Sequence, residues 1–284
     1  MDITTQEKQQ IADALAIYCQ RMGSQDKAAN TLKGVSGPTI SRILGGEMDI
    51  FKDEMFRSIS AQIGFTKKKW VTVETRDFKL MTGILADAQE NALVLAVTGE
   101  AGSGKSLAIC AYGEENKNVF ALCCSEFWNR KIFLQELLRV MGKDSSGDTV
   151  GDMMAEVVRG LKRSEMPILV LDEADKLTDQ VLYFFISLYN QLEDQCGIVL
   201  TATDHLEKRI KRGLRLNKKG YKEIYSRMGR KFIKLQGASP LDIAEVCRAN
   251  GVTDAVTIKN ITTDCEMDLR RVRRKVHADK KLKP

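Results

Sequence analysis

The sequence contains no apolar run near the roughly 18 residues that a membrane-spanning helix needs, and its first segment, MDITTQEKQQ, lacks the basic and apolar regions of a secretory leader. Both absences favour a cytoplasmic protein with no membrane partner. Seven cysteines (positions 19, 110, 123, 124, 196, 247 and 265) include no CxxC pair and stand beside only two histidines, so neither a zinc site nor a disulfide framework is signalled. Reduced, mostly buried thiols are expected. Aromatics are scarce at 6%, yet 43% hydrophobic and 29% charged residues describe an ordinary globular chain, and 284 residues leave room for a large domain and a small one. Internal repeats and low-complexity segments are absent.

What is present in excess is locally concentrated positive charge. Residues 208–234 hold twelve Lys/Arg against one acid, and residues 269–284 hold eight against one. These segments carry +18 against +6 for the whole chain, so the remainder carries −12. Such concentration is the electrostatic footprint of a polyanion partner, because each phosphate neutralised releases condensed counterions.

Helical spacing of Ile11, Leu15, Tyr18 and Met22 predicts a first helix, and Gln25 to about Lys33 a second. Gly34-Val35-Ser36 reads as a tight connection, followed by a helix with Pro38 in its first turn that closes at Gly45-Gly46. A further helix carrying Met55, Ile59 and Ile63 completes an all-α domain over residues 1–65, and residues 66–75 read as a linker. From a Thr75-capped helix onward, strands alternate with helices: 92–98, 118–124, 167–171, 197–203 and 231–235. Short apolar strands in that alternation predict an α/β fold with a parallel five-stranded sheet between helices over 76–236. The helical period returns after Pro240, predicting a small lid over 237–284 with a basic carboxy terminus.

Gly99-Glu100-Ala101-Gly102-Ser103-Gly104-Lys105-Ser106 matches G-x-x-x-x-G-K-[ST] between a predicted strand and a predicted helix, with Leu107 next inside that helix. Backbone N–H groups of such a loop wrap phosphates, the lysine reaches the β and γ oxygens, and the serine hydroxyl ligates Mg²⁺. ATP and Mg²⁺ are therefore the expected cofactors. The strand Ile168-Leu169-Val170-Leu171-Asp172-Glu173 supplies the second half: Asp172 for the metal, with Ser106, and Glu173 to polarise the attacking water. Thr203, ending the fourth strand, is the candidate for orienting that water. Positive charge on the γ-phosphate calls for arginine, and two positions qualify. Arg227 could reach a neighbouring subunit's site and Arg270 its own nucleotide, with Arg230 and Arg271 as the nearest substitutes.

Taken together, these residues resemble the AAA+ ATPases of DNA transposition, the group of the Mu B, TnsC and IstB proteins. The likeness runs through the amino-terminal helices, the Val73-Glu74-Thr75 lead-in, the P-loop, Asp172-Glu173-Ala174-Asp175, Ser226-Arg227 and Leu269-Arg270. The resemblance implies a homo-oligomer with ATP at subunit interfaces, a filament or ring, assembling on double-stranded DNA. It further implies delivery of that DNA to a transposase, release on hydrolysis, and Arg227 acting in trans. Thr203 departs from the asparagine that many such proteins carry there.

For DNA contact, residues 25–44 read as a helix-turn-helix with Thr39, Ser41 and Arg42 on the exposed face of the second helix. Arg130 and Lys131 follow the second strand, where the resemblance directs residues to the inner face of a filament. Residues 208–222, carrying Lys211, Arg212, Arg215, Lys218 and Lys219, read as a mobile loop, too polar to pack, that closes on the DNA backbone. Two other functions fit the same motifs: a helicase-loader ATPase, and a helix-turn-helix transcriptional regulator gated by ATP.

Overall fold

A computed structural model of the chain describes residues 3–65 and 70–282. Residues 66–69 of the expected linker, and residues 283 and 284 of the basic tail, lie outside the described residues. The described residues fall into two compact units, one of residues 3–65 with 134–157 and the other of 70–133 with 158–282.

The first unit is helical. Helices α1 (Thr5–Met22), α2 (Gln25–Thr31), α3 (Gly37–Leu44) and α4 (Asp53–Gln62) start where the sequence offers a cap: Thr4, Ser24 and Ser36 each accept a first-turn N–H. Lys52, which precedes α4, makes no such bond, and Asp53 and Glu54 place acid in that helix's first turn instead. Leu15, Ala28, Ile40, Ile43, Phe56 and Ile59 are fully buried and form the core. Tyr18 and Thr31 share a 2.7 Å hydroxyl contact, and the Thr31 carbonyl accepts Arg139 Nη1 at 3.3 Å. The unit therefore takes in residues 134–157 as well as the amino-terminal helices.

The second unit is built on five parallel strands in the order β2-β3-β4-β1-β5: β1 Val94–Thr98, β2 Val119–Cys123, β3 Ile168–Asp172, β4 Gly197–Ala202 and β5 Ile233–Lys234. Strands β3 and β4 are buried along their whole length, as an inner strand covered on both faces must be. Strand β5 is a two-residue edge pairing only Val97 and Thr98, shorter than the five residues the pattern suggested. Helices α5 (Arg76–Glu90) and α6 (Lys105–Glu115) pack on the sheet through Met81, Leu85, Ala88, Ala108 and Ile109.

The remaining helices are α7 (Arg130–Val140), α8 (Val150–Arg163), α9 (Asp179–Leu192), α10 (Asp204–Arg215), α11 (Tyr221–Arg227), α12 (Pro240–Ala249), α13 (Ala255–Asp264) and α14 (Leu269–Leu282). The last three enclose a core of their own around Ile243, Cys247, Cys265 and Val272.

The basic stretch 208–222 corrects the expectation of a mobile loop. It lies mostly in α10 and α11, joined by a short turn. Leu206, Ile210 and Gly213 give α10 a buried face among its charges, and the Tyr221 ring packs where a Cβ on Gly213 would lie only 2.2 Å away. Asp179, at the start of α9, then accepts Arg209 Nη2 at 2.5 Å, Lys218 Nζ at 2.5 Å and Tyr221 Oη at 2.7 Å. Burial opposes charge on Asp179, but those three donors outweigh it and hold its carboxyl far below the usual range.

Candidate functional site

Parallel strands all end on one side of a sheet, and loops there form the crevice where α/β folds bind ligands. Here a cavity of about 310 Å³ opens at that edge. Ala101 to Leu107 line it, so seven of the nine residues expected to hold nucleotide face it directly. The other two serve through their carbonyls: Lys105 Nζ donates to Gly99 O at 2.8 Å and Glu100 O at 2.9 Å, and to Ser103 Oγ at 3.2 Å. Burial depresses the Lys105 pKa, partly offset by Asp172 and Asp175.

The loop is latched to the last helix. Leu269 N donates to Gly102 O at 3.0 Å, and a Cβ on Gly102, whose φ is +81°, would lie 1.9 Å from Asp268 Oδ1. Only glycine fits there, on both counts. Arg270 and Arg273 of α14 reach the cavity, whereas Arg271 turns away to pair with Glu266 at 2.7 Å.

Asp172, 5% exposed, ends β3 with each oxygen engaged. Ser106 Oγ donates to Oδ2 at 2.5 Å; Thr201 Oγ1, at 2.5 Å, and the Glu173 amide, at 3.0 Å, donate to Oδ1. Among the described residues no lysine or arginine forms an ion pair with it. A buried carboxylate and a serine hydroxyl, side by side and without a cation, are a fitting donor set for Mg²⁺, which takes hard oxygens. No group of three or more His, Cys, Asp or Glu among the described residues could cage a metal alone.

Glu173 also lines the cavity, in a left-handed conformation (φ 56°, ψ 38°) that a non-glycine residue adopts at some cost. Its carboxylate pairs with Lys176 and accepts Cys123 Sγ at 3.6 Å. The hydrogen bond from Lys176 is the main cause that holds the Glu173 pKa below the usual glutamate range, burial opposing it. Thr203 lines the same cavity, with its hydroxyl bonded to Asp175 Oδ2 at 2.8 Å.

Arg227 stands elsewhere. It ends α11, lies over the Tyr189 ring at 4.6 Å, sits 3.8 Å from Glu223, and helps line a smaller cavity with residues 91–94, Cys196 and Ile198. Those residues lead into β1 and β4, so Arg227 and the nucleotide cavity lie at opposite ends of the strands. Its Nε is buried without a hydrogen-bond partner. Arg230 follows in a left-handed turn, φ 57°.

The residues expected to meet DNA are exposed or partly exposed and fall into two kinds. Lys211 pairs with Glu207 at 2.6 Å and Lys218 with Asp179, whereas Arg130, Lys131, Arg212, Arg215 and Lys219 have no side-chain partner among the described residues. In α3, Ser41 and Arg42 are exposed and Thr39 half-buried, with Thr39 Oγ1 2.8 Å from Ser36 Oγ and Arg42 3.9 Å from Glu47.

Sequence reading missed several residues. Thr201 carries no motif, only a polar side chain inside a buried strand. Trp70, Val73 and Val246 form an apolar end of the cavity, and Arg273 lies over the Trp70 ring at 5.5 Å. Arg209 ties the segment after Asp172 to α10, donating to Asp175 O at 3.3 Å and Leu177 O at 2.6 Å. Of the cysteines, five are buried while Cys110 and Cys123 are exposed, and none of the seven is in a disulfide.

A protein-family model described as an AAA domain matches residues 88–210, from the end of α5 into α10. That span contains the P-loop, Asp172, Glu173 and Thr203. The match, together with the five-stranded parallel sheet, supports a P-loop AAA domain with nucleotide binding and ATPase activity in general. A search of curated proteins found no match. No helix among the described residues is long and apolar enough to cross a membrane.

Proposed function

We propose that this protein is an ATPase that assembles, with ATP bound, into filaments on double-stranded DNA and presents that DNA to a transposase, hydrolysis driving release. One observation carries the enzymatic half: Lys105, Ser106, Asp172, Glu173, Thr203 and Arg270 surround a single cavity with a polar end and an apolar end. The adenine fits the apolar end between Trp70, Val73 and Val246, and the triphosphate lies along Ala101 to Leu107. Lys105 turns its ammonium from the loop carbonyls to the β and γ oxygens. Ser106 and Asp172 would hold Mg²⁺, which supplies charge neutralisation across those phosphates when bound. Glu173 polarises the attacking water, Thr203 helps orient it, and Arg270 stabilises charge on the γ-phosphate.

Arg227 lies at the opposite end of the strands from its own cavity, so any part its charge takes in hydrolysis is played at a neighbouring subunit's site, as in an oligomer with ATP at the interfaces. Mixed assemblies test it directly: a Lys105→Ala subunit and an Arg227→Ala subunit, each inactive alone, are expected to regain ATPase activity together. Failure of every mixture to do so removes the trans role.

The DNA half rests on Arg130, Lys131, Arg212, Arg215 and Lys219, cations free of acidic partners, and on the resemblance to transposition ATPases. The amino-terminal helices, with Ser41 and Arg42 exposed and Thr39 half-buried beside them, add a candidate helix-turn-helix. Electron microscopy of the protein on duplex DNA with a slowly hydrolysed ATP analogue should show filaments that dissolve with ATP as it is consumed. DNA binding indifferent to nucleotide rejects the proposal, and one short sequence bound far above random DNA points to a regulator instead.

A further inference from the structure

Phe127 is 83% exposed, the most exposed of the large apolar side chains among the described residues. It sits in the loop between β2 and α7, at the edge of the sheet where the nucleotide cavity opens. A ring of that size left in water forgoes the stabilisation that burial would give it, a cost that asks for a reason.

Its surroundings show that the exposure is built in. Ser125 turns the loop, its Oγ accepting Phe127 N at 3.3 Å and its carbonyl accepting Trp128 N at 3.2 Å. Asn129 caps α7, its Oδ1 accepting Ile132 N at 3.0 Å. Beneath, Trp128 packs on Phe133, which packs on Phe184, with ring centroids 6.4 and 6.5 Å apart. One aromatic anchors the loop inward while its neighbour is held outward. Arg130 and Lys131, in the next turn, are exposed and have no side-chain partner among the described residues; Glu126 is the one acid in the run 125–131.

We infer that Phe127 is a wedge that enters a base step of duplex DNA while Arg130 and Lys131 grip the flanking phosphates. An aromatic ring beside unpaired cations complements a stacked base beside its backbone, and partial unstacking lets the duplex bend onto the protein. A single outward aromatic favours a wedge at one step; proteins that hold single strands line up several rings for successive bases. The inference rests on the DNA-binding proposal above and adds its mode of contact. It also sets that contact close to Glu173, because Cys123, four residues earlier, touches the Glu173 carboxylate.

The test uses duplexes carrying 2-aminopurine, whose fluorescence rises on unstacking, with the full-length protein and a slowly hydrolysed ATP analogue. Wild type and Phe127→Trp should raise the fluorescence, and Phe127→Ala should not, while binding about tenfold more weakly. Salt dependence separates the two kinds of contact: Phe127→Ala should leave the slope of log affinity against log salt unchanged, and Arg130→Gln with Lys131→Gln should lower it by about 2. Undiminished fluorescence and affinity in Phe127→Ala overturn the wedge. So does a Phe127→Ala protein that no longer self-associates without DNA, since the ring is then a subunit contact, and so does an effect seen only with single strands. A wild-type protein that binds ATP but no duplex overturns the DNA-binding proposal itself, before any variant is compared.

Discussion

The nucleotide cavity and the helix pair α10–α11 treat charge in opposite ways. Around the cavity each of the three acids after β3's apolar run has an internal partner: Asp172 takes Ser106, Thr201 and a backbone amide, Glu173 takes Lys176, and Asp175 takes Thr203. Along α10–α11 the charges split. Arg209 and Lys218 are committed to Asp179, and Lys211 to Glu207, while Arg212, Arg215 and Lys219 are left to solvent. The difference teaches that a basic run is two populations, one that builds the fold and one available to a polyanion. Sequence composition counts them together, and only the acids brought opposite separate them.

The largest effects are expected at the cavity. Lys105→Ala should weaken ATP binding by at least about a hundredfold, because the triphosphate loses its one loop cation. Calorimetry showing ordinary uptake would refute the site. Glu173→Gln should keep ATP bound while turnover falls about 100-fold or more, measured as phosphate release; normal turnover would reassign the base.

Asp179→Asn should destabilise the fold by about 1–3 kcal/mol at neutral pH, since Arg209 and Lys218 lose their shared carboxylate. The sign of its pH dependence follows from a lowered folded-state pKa. The stabilisation is fully present above the unfolded aspartate value, about pH 4, and is lost as pH falls below it. Melting temperatures of the two proteins should therefore converge in acid; a gap that persists there would assign the loss to packing.

Smaller effects sharpen the contrast. Thr201→Val keeps the shape of β4 but removes a buried donor from Asp172, so half-maximal ATPase should need several-fold more Mg²⁺, an effect of about 1 kcal/mol. Lys176→Met should shift the acid limb of the pH–rate profile upward, because Lys176 is what holds the Glu173 pKa low. Replacing Arg212, Arg215 and Lys219 by glutamine should reduce the salt slope of DNA binding by up to about 3, and replacing the paired Lys211 and Lys218 should reduce it less. Equal reductions would dissolve the two populations.

Much of this was legible beforehand where the cause is local. Buried parallel strands read as continuous apolar runs, which located β1 to β4; helical spacing marked α1, Pro38 the first turn of α3, and the Thr75 cap the start of α5. A P-loop is likewise a local object, since its phosphate-binding groups come from consecutive residues. Helix α10 misled because charge masks it: Leu206, Ile210 and Gly213 keep helical spacing, but between them the basic side chains dominate the composition. Strand β5 was overextended because its flanks are apolar enough to continue, whereas only two residues pair with β1.

Strands β1 to β4, the P-loop motif and the acidic strand end could be read from the sequence alone, since each is dictated by neighbours a few positions away. Only the tertiary structure decided that Thr201 braces Asp172, that Arg270 rather than Arg271 reaches the cavity, that Arg227 lies at the far end of the strands, and which lysines Asp179 claims. Those outcomes depend on groups 29 or more residues apart meeting across a sheet or between helices. Packing sets such meetings, and no short-range pattern records them.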